Sequence, residues 1–353
     1  MDLTVNQSIK LKITRQFVVV GMLFGITYIF LLHGITEPFR YVNGIVVGLL
    51  IGLILATLEL SFFSRGAKKV KFIWLLIVRT LVYLILIIGI IFNVVAFSRM
   101  FLWDTGYLMV LSDSRFYNDY LIAGDFSIAV IYTLLFAFSV NFVRMISRKM
   151  GQGILLSYIR GTYYKPIHQT RIIMFANLAE NKNLIKALDP RIQHKFLNEF
   201  FYDLTVPIVR NRGIIYEYVE DQIVISWAMD KGLKDASCIR LYFDLIDTII
   251  ENKEKYLESY GFVPKLHASL HTGSVVRAEI GKVKSKIAFH GDTMNTTARI
   301  LGECNKIKKS LIVSDLLIRM IGLPNIYSKD LIGEVNLRGK EESLKLFEIK
   351  DKI

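Results

Sequence analysis

At 353 residues the chain is long enough for two domains, and 53% of it is apolar, more than an ordinary water-soluble protein carries. Lysine and arginine number 44 against 31 acidic residues, a formal charge of +13, but much of the excess stands in short basic runs beside apolar segments. That placement argues for a membrane surface and against nucleic acid as partner, and the two cysteines, Cys238 and Cys304, lack the spacing of a disulfide framework or a metal site and read as buried thiols.

The apolar residues crowd into the first 150 positions. Four segments there, about 17–32, 44–63, 72–97 and 126–145, suit helices that cross a bilayer, which takes about 20 residues each. The first is no cleaved signal peptide, because no small-residue cleavage site follows it and three more spans do. Lys10, Lys12 and Arg15 precede span one; Arg65, Lys68, Lys69 and Lys71 fill the loop after span two; Arg144, Arg148 and Lys149 follow span four. Positive charge marks the cytoplasmic side, so a multi-pass cell-membrane protein with both termini in the cytoplasm is expected. Glu59 and Arg79, inside spans two and three, are expected to pair, since a lone charge in hydrocarbon is costly. The spans hold too few polar residues for a transport pathway. Residues 98–124 are then outside, and their Trp103, Tyr107, Phe116, Tyr117 and Tyr120 fit either an aromatic interfacial belt plus a loop, or a ligand surface or re-entrant segment.

This bounds a transmembrane domain at 1–148. A connector follows at 149–170, with a basic, partly amphipathic helix expected to about Ile159 and ended by Gly161 and Pro166. From Arg171 the pattern changes. RIIMFANL reads as a buried strand, 190–209 as a long helix, and 213–217 with 222–227 as a hairpin on a tight acidic turn. Residues 235–260 form an amphipathic helix. A second hairpin is expected from 265–271 and 275–280 across Thr272-Gly273-Ser274, then a strand at 287–290 and a helix at 292–301. Residues 311–314 and a C-terminal pair around Gly339 complete an α+β domain with a mixed sheet, 171–353.

Several motifs of this half occur in a telling order: FAN, YVEDQ, HTGSVVRAEIG, FHGDTMNTTARIL and NLRGKEESLKLFEI. Together they resemble the class III nucleotidyl (adenylate/guanylate) cyclases, membrane-anchored bacterial type, over the whole of 171–353. The resemblance implies a ferredoxin-like cyclase homology domain, and it does not extend to the four-helix transmembrane bundle, which rests on the apolar segments. It also implies a lyase reaction in which the ribose 3′-hydroxyl attacks the α-phosphate and expels pyrophosphate, with two metal ions, Mg²⁺ or Mn²⁺, in attendance. By motif position, Arg299 is the arginine that stabilises the transition state and Asn295 the asparagine that orients the ribose. The two stand i and i+4 on one helix face. Lys340 matches a triphosphate-binding lysine and Asp221 the second metal-binding aspartate. The family's homodimer implies that Asp221 and Arg299 meet across two chains.

The match departs from the pattern in three places. Asn177 stands where the first metal aspartate belongs, so the two-metal site is weakened, because a neutral amide holds Mg²⁺ less well. Glu220 replaces the glycine before Asp221 and offers a possible substitute carboxylate. Glu217 and Ala288 occupy the base-selecting positions, and an ionised glutamate only accepts hydrogen bonds. Two functions are therefore expected. One is a cyclase acting on a nucleoside triphosphate, ATP by family, to make a 3′,5′-cyclic nucleotide. The other is an impaired cyclase that binds nucleotide and dimerises as a signalling module.

Overall fold

In the computed structural model the described residues are 3–34, 38–61, 72–118, 126–150, 155, 161, 166–281, 286–335 and 343–352. They fall into two compact units, 1–150 and 151–353.

The first unit contains α1 (Leu3–His33), α2 (Pro38–Ser61), α3 (Phe72–Leu102), α4 (Tyr107–Ser112) and α5 (Phe126–Met150). Among the described residues, α1, α2, α3 and α5 are the four helices long and apolar enough to cross a membrane. All four extend past the expected spans, except that residues 62–63 of span two lie outside the described residues. Glycine sets the α1–α2 contact. A Cβ on Gly48 would fall 2.2 Å from the Gly21 carbonyl oxygen, and one on Gly25 would fall against the Gly44 backbone, so only glycine allows these backbones to meet. Phe24 of α1 packs on Phe136 of α5, and Tyr132 donates a hydrogen bond to the Phe24 carbonyl.

The expected Glu59–Arg79 pair forms, and it is larger than a pair. Glu59 Oε1 lies 3.5 Å from Arg79 Nη1 and 3.2 Å from Arg144 Nη2, while Tyr83 donates to Oε2 at 3.1 Å. Glu59 and Arg79 are 2% and 1% exposed. Residues 98–118 depart from the expected loop: α3 continues to Leu102, and α4 folds back so that Val110 and Phe116 are buried against Ala96. Those side chains have apolar neighbours to cover them, which an extended belt would not supply.

The predicted connector helix lies outside the described residues beyond Met150, apart from isolated Leu155 and Gly161. The second unit then begins with β1 (Ile167–Asn177), so the strand starts before Arg171 and takes residues expected in the connector. It continues with α6 (Lys182–Ala187), α7 (Pro190–Asp203), α8 (Thr205–Arg210), β2 (Ile214–Val219), β3 (Gln222–Ala228), α9 (Ser237–Glu251), α10 (Lys253–Tyr260), β4 (His267–Ile280), β5 (Lys286–His290), α11 (Asp292–Lys306), β6 (Leu311–Ser314), α12 (Asp315–Met320), β7 (Tyr327–Val335) and β8 (Leu344–Asp351). The sheet order is β2-β3-β1-β4-β6-β8-β7, with β5 paired to β4. β2-β3-β1-β4 is the ferredoxin-like order, and β4–β6 is parallel among otherwise antiparallel pairs, which makes the sheet mixed.

Each single helix expected over 190–209 and 235–260 is two helices here, divided at Leu204 and Asn252. The second also starts late, because Asp235 and Ala236 have positive φ values of 56° and 49° that no α-helix accommodates.

The expected hairpin at Thr272-Gly273-Ser274 does not exist. β4 runs straight through it, with Gly273 opposite Arg171 and Ser274 opposite Thr170. Gly273 serves a neighbour and not a turn, since a Cβ there would fall 2.5 Å from Thr293 Oγ1 of α11. The true hairpin joins β4 to β5.

β1 is buried on both faces, as its unbroken apolar run implies. Ile172, Met174 and Ala176 join a core with Phe196, Phe200 and Leu245, while Ile173 and Phe175 face Ile300, Leu301 and Cys304 of α11. Burial pushes both the Cys238 and Cys304 thiols up to about 12, which leaves them inert.

Candidate active site

The end of β1 and the β2–β3 turn meet at one edge of the second unit. Asn177 pairs with Gln222 of β3, and Asp221 immediately precedes that partner. The turn between paired Val219 and Gln222 holds only Glu220 and Asp221, and Glu220 takes a φ of 54°. A tight hairpin requires such a backbone, and a glutamate there is strained by about 1 kcal/mol, where glycine would not be.

Two buried oxygens at this edge, Asn177 Oδ1 and Asp221 Oδ2, have no hydrogen-bond partner among the described residues. Buried polar atoms in folded proteins are nearly always satisfied, and the other unanswered side-chain atoms described in this unit are arginine nitrogens, so these two oxygens are the pair that a cation would complete. Among the described residues no group of three or more His, Cys, Asp or Glu stands together to hold a metal. An amide oxygen and a carboxylate oxygen nevertheless suit a hard cation that prefers oxygen, held more weakly than by two carboxylates.

Asp221 and Glu220 also line a cleft of about 410 Å³, together with Lys182 and Lys186 of α6 and Gln193 of α7. Sequence reasoning missed those three residues. Their only signal was the i, i+4 spacing of the lysines just after FAN. Behind the cleft, Glu180 takes hydrogen bonds from Lys265 Nζ at 2.7 Å and His267 Nε2 at 2.9 Å, which hold its carboxyl below the usual range.

The base-selecting positions stand on β2 and β5. Glu217 is opposite Val224, Ala288 opposite Ala278, and both are half-buried. Their strands are tied by Tyr216, which the register shift in β2 singles out. Its ring stacks on Phe289 at 4.7 Å, and its hydroxyl accepts from the Phe289 amide at 3.0 Å.

α11 answers to the amphipathic rule. Thr293, Thr296, Thr297, Ile300, Leu301 and Cys304 face the sheet, and Thr293 donates to the Ser274 carbonyl at 2.6 Å. Asn295 and Arg299 therefore share the outward side, and neither makes a hydrogen bond or ion pair among the described residues. Within one chain neither lines the cleft beside Asp221. Lys340 lies outside the described residues.

The sequence profile described as the adenylate and guanylate cyclase catalytic domain matches residues 163–350. Adenylate cyclase 2 of Rhizobium meliloti (strain 1021) is 34% identical over 215 residues, which are 61% of this chain and 59% of that protein. An adenylate cyclase of Anabaena cylindrica is 23% identical over 186 residues, covering 50% of this chain and 36% of that one. The chain thus spans less than two thirds of the length of both curated relatives. A solved bacterial light-regulated adenylyl cyclase superposes with a TM-score of 0.52 at 16% identity, over 62% of this chain and 64% of its own. That likeness extends to the fold. On the profile match, the chain belongs to the adenylate and guanylate cyclase catalytic domain family.

Proposed function

We propose that the protein is a membrane-anchored nucleotidyl cyclase that works as a homodimer and converts a nucleoside triphosphate to a 3′,5′-cyclic nucleotide and pyrophosphate. The observation that carries this is the separation of two half-sites: orphaned oxygens of Asn177 and Asp221 at one edge, and Asn295 with Arg299 outward and uncommitted on α11. Two copies of the domain complete the site, each giving the other what its own cleft lacks.

Asp221, Asn177 and Glu220 would hold Mg²⁺ or Mn²⁺, which supplies Lewis acidity to the phosphate oxygens. The chain's own part follows from charge. Arg299 of one copy faces the charge that builds on the α-phosphate as the 3′-oxygen attacks, and Asn295 fixes the ribose in line for that attack. The relatives' names support ATP, and an ionised Glu217 can accept from the adenine 6-amino group. The donor edge of guanine fits the same carboxylate. The basic residues at the ends of the apolar spans support termini on the cytoplasmic side of the cell membrane, with 1–148 as the anchor, 149–170 as the connector and 171–353 as the cyclase domain.

Asn177 favours a second reading, a nucleotide-binding, dimer-forming signalling module with little turnover. Purified full chain is assayed with Mg²⁺ and with Mn²⁺ on all four triphosphates. Cyclic product is expected, more with Mn²⁺, and more again in Asn177→Asp; no product from any triphosphate removes the enzyme. Co-expressing Asp221→Ala with Arg299→Ala chains tests the shared site. Activity absent from each alone should return in the mixture, and a silent mixture would refute assembly across two chains.

A further inference from the structure

The cleft beside Asp221 holds charges of both signs that do not neutralise one another. Asp221 and Glu220 of the β2–β3 turn line it together with Lys182 and Lys186 of α6. Lys182 and Lys186 are exposed, one helical turn apart on α6, and carry no hydrogen bond or ion pair among the described residues. Asp221 Oδ2 is buried and equally unpartnered. Exposed lysines often stand unpaired, since a surface ion pair is worth about 0–1 kcal/mol; what singles out this cleft is that they share it with a buried, unpartnered carboxylate oxygen. Kept apart, they match a ligand with two faces, a cation on the carboxylate side and phosphate oxygens on the lysine side. Mg²⁺ is bound in this way by one or two carboxylates together with substrate phosphates. Gln193 adds a neutral donor to the lysine wall.

We propose that Lys182 and Lys186 form a polyphosphate-binding wall, gripping the phosphates of the incoming triphosphate and of the departing pyrophosphate opposite Asp221. The identity of the ligand rests on the cyclase reading above; the site itself rests on the cleft. With neutral Asn177 in place of a carboxylate, the chain attracts a metal less strongly, and the two lysines supply positive charge to the phosphates directly. Ammonium groups act here as point charges, so a guanidinium serves as well and an amide does not.

The test measures binding of inorganic tripolyphosphate to full-length protein by calorimetry, with and without Mn²⁺, alongside steady-state kinetics. The Lys182→Gln/Lys186→Gln double variant should bind tripolyphosphate at least about tenfold more weakly, with or without metal. Its KM for the triphosphate and its inhibition constant for pyrophosphate should rise by similar factors, while kcat changes much less. The Lys182→Arg/Lys186→Arg variant should restore all three. Unchanged tripolyphosphate affinity in the Gln variant, with far-UV circular dichroism confirming its fold, overturns the proposal even if cyclic nucleotide is made. Lysine-dependent tripolyphosphate binding without any cyclic product leaves the wall standing and sinks the cyclase reading alone.

Discussion

Two buried carboxylate sites, one in each unit, are treated in opposite ways. In the helical unit, Glu59 is 2% exposed and both its oxygens are engaged, by Arg79, Arg144 and Tyr83. At the end of β1 and in the β2–β3 turn, Asn177 Oδ1 and Asp221 Oδ2 are also withdrawn from water and meet no hydrogen-bond partner among the described residues. A satisfied cluster needs no partner and acts within the fold, here by joining α2, α3 and α5. An unsatisfied pair is a cost to the bare fold that a bound ligand would relieve.

Removing each kind of group should therefore separate them. The largest effect is expected from Glu59→Ala, which leaves Arg79 and Arg144 as like charges with no anion between them. Breaking such a buried cluster costs about 3–5 kcal/mol, read by thermal or denaturant unfolding of the full chain in detergent. A loss below about 1 kcal/mol would mean that water already reaches the cluster and that the comparison fails.

Glu180 is an intermediate case, engaged by Lys265 and His267 yet 34% exposed in its side chain. Glu180→Gln should cost about 0.5 kcal/mol at neutral pH, small because solvent screens a group this open. The sign of its pH dependence is set by the depressed carboxyl, held below its ordinary 4.5 first by Lys265 and then by His267. Stability contributed by such a group is complete above about 4.5 and is lost as pH falls through the lowered folded value. Wild type and Glu180→Gln should then converge in urea midpoints on acidification below that point. A gap that widens instead would contradict the assignment.

The smallest effect on stability belongs to Asp221→Asn. No group among the described residues answers Asp221 Oδ2, so its charge should be removable with a change within about 0.5 kcal/mol, while cyclic nucleotide formation collapses. A destabilisation comparable to that of Glu59→Ala would make Asp221 a structural residue and erase the contrast between the units.

Some of the second unit was legible because one side of it is set by short-range chemistry. The apolar run in β1 had to be doubly buried, and the threonine and isoleucine spacing after Gly291 had to put Asn295 and Arg299 on the far side of α11. Other features were misread for physical reasons. Thr272-Gly273-Ser274 has turn composition, but a glycine that makes room for Thr293 has the same composition as one that turns a chain. Tyr216 looked like one more strand residue until the register shift in β2 set its ring on Phe289.

The sequence by itself determined four helices apolar enough for a bilayer, a sheet with a buried central strand, and a helix with one polar face, because hydrophobic periodicity and burial are local and additive. Only the tertiary structure decided that Arg144 joins Glu59 and Arg79, that Asp221 faces an open cleft with Lys182 and Lys186, and that two oxygens there go unanswered. Those facts depend on which groups distant in sequence end up beside one another, and the polar bonds that are made or left unmade are settled only when the strands have paired.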